Sequence, residues 1–341
     1  GGDVFALYYD RETQRVSALN ASGRAPAALS IQRLHKEGYS EELPPFHPYT
    51  ITVPGACAGW FDLVERCGTL EMSQVLEPAI RLADHGFPVA PITAAFWQRG
   101  AERQLKEALG GHELTIDGRG PKAGEIFYNH GLAKTFRIVA EKGKTAFYQG
   151  EIAESIVEVI NKAGGAFSME DLASHHSTWE EPISTTFHDI RVWECPPNGQ
   201  GLAALLALNI LEEIELRQFP TNSRQRLHLM IEAMRLAFAD ARWYISDPAF
   251  KHLPLTELLS KSYARERRKL IDPKQATLDQ IHGTPESTSG TVYLSVVDDH
   301  GNACSMINSN YMGFGTGIVP TGWGFTLQNR GHNFSLDPGH P

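Results

Sequence analysis

The sequence predicts an α+β fold built in layers, and three observations carry that reading. Strands and helices come in blocks rather than in strict alternation, which disfavours a parallel doubly wound sheet. The chain opens on one strand pair, Val4 to Tyr9 and Arg15 to Leu19, and nears its end on another, between Thr291 and Ser309. Between them lie stretches with apolar residues at helical spacing, with no self-similarity at solenoid periods. At 341 residues the chain is one large domain or two small ones, and either buries a substantial core.

Composition narrows the function classes. With 42% hydrophobic and 21% charged residues, and no apolar run as long as a membrane span, the chain reads as an ordinary globular protein. A net charge of -9 argues against nucleic-acid binding, and the locally basic run Lys261 to Lys269 reads as a solvated helix face. Cys57, Cys67, Cys195 and Cys304 are too few and too scattered for a disulfide scaffold, and are expected to be buried thiols. The chain starts in strand-like material, so its true N-terminus is expected upstream. With no leader visible, a cytoplasmic location is favoured over a secreted one.

Each element has its own signal. The polar turn Asp10 to Gln14 joins the first two strands, and Ala21 to Pro26 leaves the sheet as a loop carrying Arg24, a substrate anion clamp or a surface charge. The Pro- and Glu-rich stretch from Glu37 to Tyr49 reads as an exposed connection. A helix follows from the small-residue run beginning at Val53. Another runs from Ser73 to Ala83 with Val75, Leu76, Ala79, Ile80 and Leu82 as its buried stripe, Pro78 as a kink or first turn, and Gly86 as its stop. Leu132, Phe136 and Val139 mark one further helix and Ile152, Ile156, Val159 and Ile160 the next, with a short helix after the cap Ser168. Ile183 to Phe187 and Ile190 to Cys195 form a strand pair. The loop Pro196 to Gly201 leads into a helix from Leu202 to Leu211. The helix Arg224 to Tyr244 carries Leu227, Met230, Ile231, Met234, Phe238 and Ala241 as core. From Asp272 to Gly290 the chain reads as a mobile surface linker.

The chemistry concentrates after that linker. Thr291 to Val297 alternates as a half-buried strand, Asp298 to Asn302 supplies turn residues, and Ala303 to Ser309 resumes the extended pattern. With Asp299 to Gly301 as the loop, Asp298 faces Asn302, and antiparallel counting places Thr291 opposite Ser309. A loop one residue longer or shorter would bring Asn308 or Asn310 there instead. A threonine hydroxyl needs a base to become a nucleophile, and its own α-amine, with an ordinary pKa near ~8, serves once freed by cleavage. Gly290 tolerates the strained geometry of a self-cleaving bond. No nucleophile elbow, P-loop or zinc motif is present. The adjacent His175 and His176 lack ligand spacing, so no metal and no cofactor are called for.

The stretch TVYLSVVDDHGNACSMINSNYMGFGTGIV, Thr291 to Val319, resembles the start of the small subunit in γ-glutamyltransferases, a family of N-terminal-nucleophile hydrolases. The likeness continues in VPGACAGWFDLVERCGTL, LEPAIRLADHGFPV, AFYQGEIAESIVEVINKAGGAFSMEDLASH and IEAMRLAFADARWYISDP, nearly the whole chain. It implies a four-layer αββα sandwich, self-cleavage between Gly290 and Thr291, Thr291 as nucleophile, and Ser309 as the hydroxyl that orients it. On this reading residues 1–290 are large-subunit material and 291–341 the start of a small subunit, together one domain. The two subunits associate after cleavage, with a dimer of such pairs as a further expectation.

The match also departs from the family. Tyr311, Arg330 and Asn333 align with the asparagine, glutamine and aspartate that hold a substrate α-amino group. Ser22 aligns with the arginine that clamps the α-carboxylate, and Arg24 stands two residues on. A cation where a neutral amide stood repels a substrate ammonium. These positions therefore imply the cephalosporin-acylase-like branch, acting on acyl amides such as glutaryl amides, with Arg330 and Arg24 as partners for a substrate carboxylate. The alternatives are a γ-glutamyl hydrolase or transferase acting on glutathione-like compounds, and a non-catalytic homologue that is never cleaved.

Overall fold

The computed structural model describes residues 1–277 and 291–340. The expected opening hairpin forms from β1 (Asp3–Asp10) and β2 (Arg15–Ala21), in register from Val4 opposite Ala21 to Asp10 opposite Arg15. Its turn is built by Asp10, whose Oδ1 accepts the backbone N–H groups of Glu12 and Thr13 at 2.8 and 3.0 Å.

The stretch after the hairpin is more ordered than its composition suggests. Ser30 caps a short helix, α1 (Ile31–Lys36), and Leu34, Leu43, Tyr49 and Leu336 bury one another in a satellite cluster. The segment from Glu37 to Tyr49 is thus not simply an exposed connection: its few apolar residues fasten it down. The small residues of Ala56–Cys67 let that helix, α2, lie close on the sheet, where a side chain at Gly59 would strike Ala21 and Val4. In α3 (Met72–His85) Pro78 sits inside the helix and Gly86 ends it at φ 80. The buried stripe there is Met72, Leu76 and Ala83, whereas Val75 and Leu82 are exposed.

The chain then passes through a two-residue strand β3 (Phe87–Pro88), helix α4 (Pro91–Gly100), a π-helical turn Ala101–Leu105, and β4 (Ile126–Phe127), which pairs with β3. Helices α5 (His130–Lys142) and α7 (Glu151–Lys162) follow where the periodicity predicts, α6 (Thr145–Gln149) lies between them without having been expected, and α8 (Met169–Ala173) forms at its expected place with the Ser168 capping box. Helix α7 buries Ile152, Ile156, Val159 and Ile160 on one face. These meet Val53, Cys57, Leu76, Phe147 and the later Trp323, Phe325 and Leu327 in the largest core cluster. At about 1.5–3 kcal/mol per buried large side chain, this face rather than helix propensity holds α7 in place.

Strand β5 (Thr178–Glu180) adds to the sheet beside β2, and β6 (Ile183–Phe187) with β7 (Ile190–Glu194) make the expected second hairpin. A second body of helices packs around α9 (Gly201–Glu212), with α10 (Arg224–Tyr244), α11 (Leu255–Leu258) and α12 (Lys261–Arg268). The bounds of α10 are those predicted, but of its expected core only Ala241 is buried. Leu227, Met230, Ile231, Met234 and Phe238 are exposed, while Leu229, Ala233, Leu236, Ala237 and Ala241 face inward. Helix α10 is apolar on two faces, and α9 selects the one rich in alanine, which permits a closer approach. The basic helix α12 is not merely solvated: Lys261 pairs with Glu212 at 2.6 Å and Arg267 with Asp240 at 2.9 Å. Cys57 and Cys195 are buried as expected, whereas Cys67 and Cys304 are half-buried.

The final hairpin, β8 (Thr291–Val297) and β9 (Ala303–Ser309), completes a five-stranded antiparallel sheet in the order β5-β2-β1-β9-β8. Of the expected linker, residues 278–290 lie outside the described residues, Gly290 among them. Among the described residues no helix is long and apolar enough to cross a membrane.

Candidate active site

The hairpin register puts chemistry at one end of the sheet. Asp298 and Asn302 close the turn through Asp298 N–H donating to Asn302 O at 3.0 Å, so the three-residue loop is the one formed, and Thr291 stands opposite Ser309. Strand β1 lies on the other side of β9, with Asp3 opposite Ser309. Because Val4 faces Ala21, one more step of the same register brings Ser22 beside Asp3. Residues directly opposite one another share a face of the sheet. A single row across four strands therefore reads Thr291, Ser309, Asp3, Ser22.

At the head of this row the Thr291 and Ser309 hydroxyls are 3.0 Å apart. Ser309 is buried, and its Oγ also accepts the backbone N–H of Tyr311 at 2.9 Å. The serine hydroxyl is thereby fixed in direction, and the threonine beside it with it. Tyr311 holds the left-handed conformation at φ 77, costly for a residue with a side chain, and its hydroxyl donates to Asn333 Oδ1 at 2.6 Å. The Arg330 guanidinium lies 5.8 Å from the centre of the Tyr311 ring. Tyr311, Arg330 and Asn333, expected to line the substrate site, are thus brought together beside Ser309.

Sequence reasoning missed the group that organises them. Asp3 is buried and accepts four hydrogen bonds. Its Oδ1 takes the Gln328 side-chain amide at 2.8 Å and the backbone N–H groups of Gly55 and Gly23 at 3.1 and 3.2 Å, and its Oδ2 takes Arg330 Nε at 2.8 Å. Burial pushes its carboxyl upward, opposed first by the Arg330 charge and then by the Gln328 and backbone donors. A second donor of Arg330, Nη2, reaches the Ser309 carbonyl oxygen at 3.0 Å. The available signal was a lone carboxylate in the apolar run Gly1 to Tyr9, on the same strand face as Phe5 and Leu7. Gln104 was missed as well. From the π-helical turn its side chain donates to Met312 O at 2.8 Å and Gly315 O at 2.7 Å, holding the turn that follows Tyr311.

Ser22 and Arg24 stand apart from this cluster. The Ser22 hydroxyl donates to Asn20 Oδ1 at 2.8 Å and accepts from Asn198 Nδ2 at 3.0 Å. Arg24 pairs with Asp247 at 3.0 Å and lies over the Phe250 ring, with much of its side chain exposed. Among the described residues no group of His, Cys, Asp and Glu side chains could hold a metal ion.

A threonine at the head of a strand, hydrogen-bonded to a serine on the neighbouring strand of an antiparallel sheet, is an arrangement suited to an N-terminal nucleophile. The comparisons with known proteins give the same class and make it specific. The family model for gamma-glutamyltranspeptidase matches residues 1–341, and the chain belongs to that family of autoprocessed N-terminal-nucleophile hydrolases, with their α+β sandwich fold. It is similar to cephalosporin acylase from Bacillus halodurans (42% identity, TM-score 0.89, covering all of this chain and 62% of that one). It is also similar to the glutathione hydrolase-like YwrD proenzyme of Bacillus subtilis, at 34% identity over 100% of this chain and 64% of the relative. A third similarity is to the acylase ACY 1 proenzyme of a Pseudomonas strain, at 30% over 85% of this chain and 52% of the relative. The chain thus spans between about half and two thirds of the length of these relatives.

Proposed function

We propose that the protein is an amidohydrolase that cleaves itself before Thr291 and then uses Thr291 to hydrolyse an acyl amide whose far end carries a carboxylate, a glutaryl-like group. The observation that carries this is the 3.0 Å contact between the Thr291 and Ser309 hydroxyls at the head of β8. In the first stage Thr291 Oγ1 bonds to the Gly290 carbonyl carbon, the peptide C–N bond breaks, and the proton ends on the released amine. Water then cleaves the ester, leaving the Gly290 carboxylate and a free Thr291 α-amine. In the second stage the hydroxyl attacks the substrate carbonyl while the α-amine takes its proton and passes it to the departing amine. Water resolves the acyl-enzyme. Residues 1–290 and 291–341 then belong to two chains of one folded body. Ser309 orients the nucleophile.

The substrate assignment rests on distance and charge. In an extended glutaryl group the carboxylate lies about 5 Å from the scissile carbonyl, four carbon–carbon bonds away. Arg330 touches Ser309, one strand from Thr291. Its Nε and Nη2 are taken by Asp3 and the Ser309 carbonyl, which among the described residues leaves Nη1 for a substrate carboxylate, beside Tyr311 and Asn333. Ser22 is three strand spacings from Thr291, roughly 14 Å, and Arg24 is paired with Asp247, so neither is assigned the carboxylate of a glutaryl-sized group. A cation at Arg330 works against the ammonium of a γ-glutamyl substrate. The glutathione hydrolase-like relative is the ground for the second reading, a γ-glutamyl hydrolase.

Intact-mass measurement of the whole protein and of its Thr291→Ala variant, with release of p-nitroaniline from glutaryl- and γ-glutamyl-p-nitroanilide, tests both stages. A fragment beginning at Thr291, its absence in the variant, and preference for the glutaryl compound are expected. A single uncleaved, inactive chain overturns the reading, and preference for the γ-glutamyl compound overturns the substrate assignment.

A further inference from the structure

Resting on Thr291 as nucleophile, we propose that the buried Asp3–Arg330 ion pair is a positioning device that sets the place of the Ser309–Thr291 hydroxyl pair. The geometry forms one connected path. Asp3 is anchored by the backbone N–H groups of Gly23 and Gly55, at the exit of β2 and the entry of α2, and by the Gln328 amide. It grips Arg330 Nε at 2.8 Å, Arg330 Nη2 grips the Ser309 carbonyl at 3.0 Å, and Ser309 Oγ meets Thr291 Oγ1 at 3.0 Å. The end of β9 is therefore held twice: by its pairing with β1, and by a guanidinium that is itself bonded to Asp3 at the start of β1.

The need for such a clamp follows from the position of Thr291. It is the first residue of β8, and its hydroxyl meets Ser309 at the end of β9. A nucleophile works only where its oxygen stands at attack distance, and a displacement of 1 Å costs about a hundredfold in rate. An arginine suits the task where a lysine does not, because its planar fork can hold the Asp3 carboxylate and the Ser309 carbonyl at once. The arrangement also explains why a buried carboxylate is present at all. Without Arg330 its burial would be unfavourable; with it, the pair acts as a fixed strut between the β1–β2 end of the sheet and the nucleophile.

Asp3 gives the cleaner test because it is buried, whereas Arg330 is partly exposed and is the residue assigned to the substrate carboxylate. In the whole protein, Asp3→Asn is expected to slow both the appearance of the Thr291-headed fragment and kcat on glutaryl-p-nitroanilide by ~10–100-fold, with KM within about threefold of the parent. Arg330→Lys, which keeps the charge but cannot serve both acceptors, is expected to lower kcat similarly while retaining a cooperative thermal transition. An unchanged kcat in Asp3→Asn, or a change confined to KM, overturns the proposal. If Asp3→Asn does not fold, the rate of self-cleavage in Arg330→Lys decides, because that step involves no substrate carboxylate, and an unchanged rate overturns the proposal; loss of the folded state in both variants assigns the pair to stability alone and also overturns it. The parent separates the two levels of argument. A parent that neither cleaves nor turns over sinks the nucleophile reading and this inference with it, whereas an active parent with an indifferent Asp3→Asn variant sinks this inference alone.

Discussion

Replacing Ser309 by alanine removes one oxygen that serves two partners. Its Oγ accepts the Tyr311 N–H at 2.9 Å and lies 3.0 Å from Thr291 Oγ1, in a buried setting. The stability effect comes from the first contact. A buried donor left without its acceptor costs about 1–3 kcal/mol, and the cavity is small because only a hydroxyl is lost. The activity effect comes from the second. A hydrogen bond whose partner gains charge during the reaction is worth about 1.5–3 kcal/mol, which is ~10–150-fold in rate. Ser309→Ala is therefore expected to retain a cooperative unfolding transition, shifted down by about 1–3 kcal/mol, and to lose one to two orders of magnitude both in self-cleavage and in kcat. Ser309→Thr keeps the oxygen and is expected to recover most of both. Denaturant unfolding, a time course of intact mass and initial rates on a chromogenic acyl anilide measure the three quantities. Self-cleavage and kcat within threefold of the parent, in a variant destabilised as expected, would refute the view that the Ser309 hydroxyl orients the nucleophile.

Other expectations concern the scaffold. Ile156 is fully buried in the α7 face of the main core, and Ile156→Ala is expected to cost about 2–5 kcal/mol by urea unfolding. Gly110 has φ 72, and an added Cβ would lie 2.2 Å from the Val319 carbonyl oxygen. Gly110→Ala thus combines an unfavourable left-handed backbone with a clash against main chain, and a loss of about 2–4 kcal/mol is expected in the same assay. His175 carries a pKa depressed from 6.5 to about 4, chiefly by burial and secondarily by His176. A depressed histidine is neutral when folded but takes up a proton when unfolded, so its share of stability is intact above pH 6.5 and is lost as pH falls from 6.5 towards 4. His175→Gln is expected to flatten that part of the stability–pH profile, as read from urea midpoints at pH 7 and pH 4.5. Parallel profiles for parent and variant would contradict this.

The sequence carried most of the local structure because local structure answers to local physics. The 3.6-residue spacing of Ile152, Ile156, Val159 and Ile160 gave α7, the Ser168 cap gave α8, and Asp298 to Asn302 gave a turn whose length the structure fixes at three loop residues. Turn length sets register, so Ser309 was one of three partners that counting offered Thr291, and the three-residue loop selects it. Where two apolar faces competed, periodicity could not choose. Leu227, Met230, Ile231, Met234 and Phe238 of α10 are as regularly spaced as the alanine-rich face that packs on α9. In the stretch from Glu37 to Tyr49 the two buried residues, Leu43 and Tyr49, were too sparse to announce themselves, since their partners Leu34 and Leu336 come from elsewhere in the chain.

The site divides along the same line. By itself the sequence determined that a threonine follows a glycine at a strand start and that a serine stands opposite it for a three-residue loop, while the family resemblance set Arg330 where a neutral amide is expected. Only the tertiary structure decided what Arg330 is bound to. Its partners, Asp3 and the Ser309 carbonyl, lie 327 and 21 residues away, and no spacing rule joins them. The physical reason is that hydrogen-bond pairing along a hairpin is counted in residues, whereas the burial of a carboxylate is set by which strands, loops and helix ends converge on it. Asp3 acquires its meaning only when Gly23, Gly55, Gln328 and Arg330 close around it.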